Sequence, residues 1–226
     1  VEICSKVFGR KKSGKILPAD HYSGNENFKI VGKQDIQQAN LFWGTSFDAS
    51  MLEKSNRYSL SVFNVAIGAG MSSRLFQKIR EERGLAYSVY TTTDVYKDCL
   101  DWGVSLATEP RQLKTALKLS IDEVKNFMEN GFAKDELERT KANIIGGIRL
   151  GADSPEKRVM RLAEQTLHLD GYTPMAEIEK GLQKLTEEQI VETVRSSFGK
   201  SKYSISVVQP GDNKKPDLKE FLFALK

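Results

Sequence analysis

The chain has 226 residues, 39% of them hydrophobic, enough to bury a substantial core in one folded unit. No stretch approaches the roughly 18 consecutive apolar residues of a membrane-spanning helix, so a soluble protein without a membrane span is expected. A net charge of +4, from 34 basic and 30 acidic residues interspersed along the chain, describes solvated surface and sets aside a strongly basic nucleic-acid-binding class.

Residue 1 is Val, not Met, and residues 1–8 read as the end of an amphipathic helix, with Ile3, Val7 and Phe8 at helical spacing. A cut-down piece of a longer protein is therefore expected. Residues 9–27, rich in Gly, Ser, Lys and Asn, read as a linker. The Arg10, Lys11, Lys12 and Lys15 cluster within it carries no interleaved aromatic on which a base would stack, which argues against a nucleic-acid arm.

A strand is expected over residues 37–47, with Ala39, Leu41 and Trp43 on one face and Phe42 on the other. Leu60, Phe63, Asn64 and Ile67 predict a helix over 57–67 that stops at Gly68-Ala69-Gly70. A second helix starts at Ser72 or Ser73, either of which would cap it by accepting a backbone N–H; Leu75, Phe76 and Ile79 form its apolar stripe, and Gly84 ends it. Residues 85–95 and 99–107 read as paired strands, turned at 96–98, with Leu100, Trp102, Val104 and Leu106 alternating against small or polar residues.

A long helix follows to about residue 130 and is closed by Gly131. Of three or four further helices, two announce their starts: Ser154-Pro155 as cap and first-turn proline, and Thr186 with Gln189 as a capping box. The last strand covers 203–208. The order strand, helices, strand, strand, helices, strand is a split βαβ pattern. It predicts an α+β fold, an antiparallel or mixed sheet with helices packed on one face.

Chemistry is sparse. The two histidines, His21 and His168, each lack a second histidine four residues away, and neither H-E-x-x-H nor H-x-x-E-H occurs, so no zinc site is expected. Cys4 and Cys99 lie in segments of different kinds without a neighbouring His or Cys, which predicts packing roles and no disulfide framework. No G-x-S-x-G elbow is present, and Gly68-Ala69-Gly70 lacks the ending of a phosphate loop. Few cysteines favour a reducing compartment such as a bacterial cytoplasm or mitochondrial matrix, with a periplasmic home left open.

The informative stretch is residues 68–90, GAGMSSRLFQKIREERGLAYSVY. A helix carrying Arg80 runs directly into a strand carrying Tyr87, so a guanidinium and a phenol come from adjacent elements. Pointed into one cleft, the pair would bind a peptide carbonyl or the oxyanion formed from it. Equally, Tyr87 shares its strand face with Leu85 and Val89 and reads as a core tyrosine, and Arg80 as the partner of a nearby carboxylate.

The same stretch resembles the signature of the second, non-catalytic half of the pitrilysin/insulinase family of zinc metallopeptidases, in its processing-peptidase branch. Gln38-Ala39, Arg149-Leu150 before Ser154, the Asp170-Gly171 corner and the Thr186 helix fit as well. The resemblance runs over residues 28–208; residues 1–27 resemble the end of a preceding half plus the inter-half linker, leaving 28–226 as the inactive domain. It implies a half-clamshell that grips extended peptide, with Arg80 and Tyr87 on the substrate backbone and scissile carbonyl. Gly68, Gly70 and Met71 would form a mobile, chamber-facing loop. Zinc would sit in a partner half or subunit, and this chain alone would be inactive. The competing expectation is a scaffold subunit that kept the fold and lost proteolysis, as in the core subunits of the respiratory bc1 complex.

Overall fold

The structure, a computed structural model, describes residues 2–9, 14, 26–169, 171–211 and 215–225. His21, Asp170 and the Arg10 to Lys15 cluster lie outside the described residues. Helix α1 (Glu2–Phe8) comes first. A five-stranded sheet follows, formed by β1 (Asn27–Lys33), β2 (Ala39–Phe47), β3 (Ala86–Val95), β4 (Leu100–Thr108) and β5 (Ser204–Pro210). The helices of the main body are α2 (Lys54–Ile67), α3 (Leu113–Asn130), α4 (Glu136–Ala152), α5 (Pro155–His168), α6 (Met175–Lys184) and α7 (Glu187–Phe198).

The sheet order is β1-β5-β2-β4-β3, so β1 and β3 are its edges. Only the β1–β5 pair is parallel; β5 pairs antiparallel with β2, β2 with β4 and β4 with β3. The α+β mixed sheet is as expected, but the four-strand count is corrected to five. Phe28 and Ile30 of β1 pack on the core, yet the strand pairs only with a segment at the far end of the chain, so no local hairpin signal marks it.

Alternation sorts the sheet into two faces. On one, Ala39, Leu41, Trp43, Leu100, Trp102, Val104, Leu106, Tyr203, Ile205 and Val207 are buried under α2, α3 and α7. At its centre the Trp102 ring meets those of Phe198 at 4.8 Å, Phe63 at 5.6 Å and Trp43 at 5.8 Å. The Asn64 side-chain oxygen accepts from the Trp102 indole N–H at 3.1 Å, and the Tyr203 hydroxyl donates to the Phe198 carbonyl at 2.7 Å, so the polar ends of these two rings are satisfied, whereas the buried Trp43 indole N–H finds no acceptor among the described residues.

Helix termini follow their chemistry. Ser154 accepts from the Lys157 N–H, and Thr186 with Gln189 forms the full capping box. Gly131, at φ +68, closes α3. Helix α2 starts one turn earlier than its apolar spacing shows, with Lys54 paired to Glu177 of α6 at 2.7 Å. Cys4 is exposed and Cys99 half-buried, so the packing role expected of both holds for Cys99 only.

Candidate functional site

The segment from Gly68 to Tyr90 is held at several points. Gly68 closes α2 against the edge strand: a Cβ there would stand 2.5 Å from the Thr91 methyl, and its carbonyl accepts from the Thr91 N–H at 3.2 Å. The loop expected to be mobile is therefore tied to β3 at Gly68. Gly70, at φ +127, makes the turn that glycine tolerates, and Met71 projects with 76% of its surface exposed. Ser73 was expected to cap by accepting; instead its hydroxyl donates to the Gly70 carbonyl at 2.6 Å.

The helix that follows is clamped on two sides. Arg74 bonds Glu136 of α4 at 2.9 Å and the Gly131 carbonyl at 2.7 Å, while Lys78 meets the buried Glu123 of α3 at 2.7 Å. Burial pushes the Glu136 carboxyl up, but hydrogen bonds from Arg74 and from the Ala133 N–H outweigh it, leaving it below its ordinary 4.5. Leu75 and Ile79 are fully buried, whereas Phe76 is only partly so.

From Phe76 to Glu81 the backbone is π-helical: the Glu82 N–H reaches back five residues to the Gln77 carbonyl at 2.9 Å. Such widened turns are rare and recur at functional sites. Gly84, at φ +58, then reverses the chain, and the Leu85 N–H bonds the Ile79 carbonyl at 2.9 Å. The side chain of Arg80 is exposed, and its guanidinium lies 4.8 Å over the Phe76 ring. Among the described residues no ion pair holds it, so the expected carboxylate partner is not found.

Tyr87 is where the sequence alternation misleads. Ala86 pairs with Thr108 and Ser88 with Ala107, so Tyr87 is the extra residue of a β-bulge. The bulge shifts the phase of the strand, turning Tyr87 out with 71% exposure while Ala86 and Val89 stay buried. The core-tyrosine reading is thereby overturned. Arg80 and Tyr87, delivered by a clamped helix and a bulged edge strand joined through Gly84 and Leu85, are both left unburied at the start of β3.

Two further side chains share the open face of the sheet. Phe42 (41% exposed) and Tyr90 (47%) flank Ser105 in one cross-strand row, Phe42–Ser105–Tyr90. Phe42 lies flat because Gly44 and Gly103 are glycines: a Cβ on Gly103 would come 2.2 Å from its ring. Gly44 and Gly103, directly opposed on neighbouring strands, were the available signal for this aromatic platform.

At the far end of the hairpin Asp94 stands opposite Asp101, like charges that oppose pairing. Burial first, then Asp101 and Asp98, pushes the Cys99 thiol up to about 11, which removes it as a nucleophile at neutral pH. His168 makes an edge-on ring contact with Tyr96 at 6.4 Å. Among the described residues no group of three or more His, Cys, Asp or Glu side chains is arranged to hold a metal ion. No helix among them is long and apolar enough to cross a membrane.

The comparisons with known proteins agree with this anatomy. The family model of the Peptidase M16 inactive domain matches residues 1–144. Over 207 residues the chain is 30% identical to an uncharacterized zinc protease of Streptomyces coelicolor, covering 89% of this chain and 44% of that protein. The fold is that of the peptidase M16 inactive domain crystal structure from Pseudomonas fluorescens, with TM-score 0.76 and 21% identity over 91% of this chain and 49% of that one. It is also shared, at TM-score 0.78 but only 15% identity, with a chain of the Candida albicans complex III2, covering 95% of this chain and 53% of that one. This chain belongs to the Peptidase M16 inactive domain family. It spans a little under half the length of the curated relatives it matches, which are named zinc proteases.

Proposed function

We propose that this chain is the substrate-gripping, non-catalytic half of a zinc metalloendopeptidase. In this reading residues 28–226 form the inactive domain, residues 1–27 the end of a preceding half and the connecting linker, and the preceding half or a partner subunit carries the zinc. The observation that carries the reading is the bulge at Tyr87, which interrupts a regular ladder and leaves a phenol exposed at the start of β3, seven residues after an Arg80 that is exposed too and held by no ion pair among the described residues.

An unfolded peptide lies extended along that face, its apolar side chains on Phe42 and Tyr90. The Arg80 guanidinium and Tyr87 hydroxyl donate to a backbone carbonyl, which becomes more anionic as the peptide bond is attacked. Among the described residues no donor set fits zinc, so the reading assigns them no step of metal chemistry. Addition of a peptide strand to β3 is interrupted at Thr91, whose N–H is taken by Gly68; the open face is the better platform. Bacterial relatives and two unpaired cysteines fit a bacterial cytoplasm.

A proteolytically dead scaffold is the second reading. The complex III2 likeness, at 15% identity, speaks for the fold alone, whereas the 30% identical relative is named a zinc protease. The test is Tyr87→Phe in the protein carrying both halves. Loss of one oxyanion donor lowers kcat on the order of 100-fold, with the fold intact by circular dichroism. Unchanged turnover of an unfolded peptide refutes the assignment.

A further inference from the structure

The side chains of the helix that presents Arg80 are held in two different ways. Arg74 and Lys78 are tied to Glu136 and Glu123, and the Gln77 amide donates to the Met71 carbonyl at 2.6 Å. The Arg80 guanidinium instead rests over the Phe76 ring at 4.8 Å, closer than Arg74 over Phe127 or Arg161 over Tyr172, both 5.4 Å. Phe76 is not needed for the core. Its neighbours Leu75 and Ile79 are fully buried there, whereas Phe76 is partly buried and is not among the described apolar side chains that pack against the core. Apolar spacing placed all three in one stripe; the structure gives the middle one a cation as its neighbour.

We infer that Phe76 is a positioning residue, whose ring holds the Arg80 guanidinium ready for a backbone carbonyl of the substrate; the inference rests on the substrate-gripping reading above and deepens it. A carboxylate one helical turn before an arginine would pair with it, occupying its N–H donors and neutralising its charge. A ring attracts the cation through its π face and accepts no N–H bond, so the donors at the rim of the guanidinium stay available to a carbonyl. An exposed arginine otherwise samples many rotamers, and freezing one of them on a ligand weakens binding. Here the ring stands on a helix fixed by Leu75 and Ile79 in the core and by Arg74 and Lys78 at its sides, so part of that ordering is complete before peptide arrives.

The test is a double-mutant cycle on kcat/KM in the protein carrying both halves, with fluorescently labelled casein as the unfolded substrate. Phe76→Leu removes the ring and keeps an apolar side chain; Phe76→Tyr keeps the ring. With Arg80 in place, Phe76→Leu lowers kcat/KM about two- to fivefold, the size of a cation–ring contact at an exposed site, and Phe76→Tyr restores most of the loss. Arg80→Ala alone lowers kcat/KM on the order of 100-fold. In that background Phe76→Leu has no further effect, because the group it positions is gone. A ring that acted only on the fold would cost the same factor in both backgrounds and lower the urea midpoint. That result overturns the proposal, as does a Phe76→Tyr no better than Phe76→Leu, or a silent Phe76→Leu beside an impaired Arg80→Ala; each leaves the substrate-gripping reading standing. A silent Arg80→Ala overturns the proposal together with the part of Arg80 in that reading, while Tyr87→Phe tests the other donor separately.

Discussion

The two faces of the sheet are made by the same strands, one residue out of phase, and they have been put to different uses. On the covered face Trp43, Trp102, Tyr203, Phe63 and Phe198 interlock at ring separations of 4.8 to 5.8 Å, with the polar atoms of Trp102 and Tyr203 paired. On the open face aromatic rings are present too, but Phe42, Tyr90 and Tyr87 keep 41%, 47% and 71% of their surface exposed. The covered rings hold the fold together. The open ones leave apolar surface in water, which is worth retaining only where something else is to be bound.

The largest expected effect breaks this comparison directly. Phe63→Ala, on the covered side, removes a fully buried ring and leaves a cavity among Trp102, Phe127 and Phe198, a loss of about 3–5 kcal/mol. Phe42→Ala, on the open side, loses about 1 kcal/mol or less, since much of the ring is already hydrated. Urea midpoints of the two variants measure the contrast. Equal losses would mean that the open face is part of the core.

The covered side also contains a largely but not fully buried ionic tie, Arg74 to Glu136, with side-chain exposures of 12% and 13%. Arg74→Ala leaves Glu136 and the Gly131 carbonyl without this partner and costs about 3 kcal/mol at neutral pH. The sign with pH follows from Glu136, whose carboxyl is held below 4.5 in the fold. Its contribution is fully present above the unfolded value and is lost as pH falls through the folded one. The gap between Arg74→Ala and the unmodified protein therefore narrows on going from pH 7 to strongly acid conditions, read from urea midpoints at each pH. A gap that stays constant would show that the pair contributes through packing and not through charge.

What was legible in the sequence was whatever is encoded locally. The Ser154 and Thr186 caps, Gly84 and Gly131, and the alternation from Leu100 to Leu106 all act over a few residues, and each is in place. Strand β1 was missed because its partner is β5, some 180 residues further along the chain. Tyr87 was ambiguous for a subtler reason: sharing a face with Leu85 and Val89 holds only while strand register is regular, and a single inserted residue breaks it. The side of α5 that leaves Val159, Met160 and Leu167 exposed had normal helical periodicity, and periodicity says which residues share a side but not which side turns inward. Arg80 and Tyr87 came from resemblance; the π-helical turn and the bulge that present them have no sequence signal of comparable strength.

The smallest effect sharpens the comparison most, because it asks whether the open face is built or merely left over. Gly103→Ala places a methyl where Cζ, Cε2 and Cε1 of Phe42 lie at 2.2, 2.6 and 3.0 Å, so the ring must lift from the sheet. The three atoms nearest the methyl all belong to the far end of one exposed side chain, which can swing into solvent, so the cost is about 1 kcal/mol, at the low end for overpacking. In a Phe42→Ala background the obstacle is gone, and the same substitution becomes neutral or slightly stabilising, since alanine loses less backbone entropy than glycine in a strand. The double-mutant cycle then returns a coupling of about 1 kcal/mol between residues 42 and 103. If Gly103→Ala costs the same in both backgrounds, the ring does not rest on Gly103. If the coupling is found and peptide binding falls with it, the glycine pair is what holds the aromatic platform flat for a ligand.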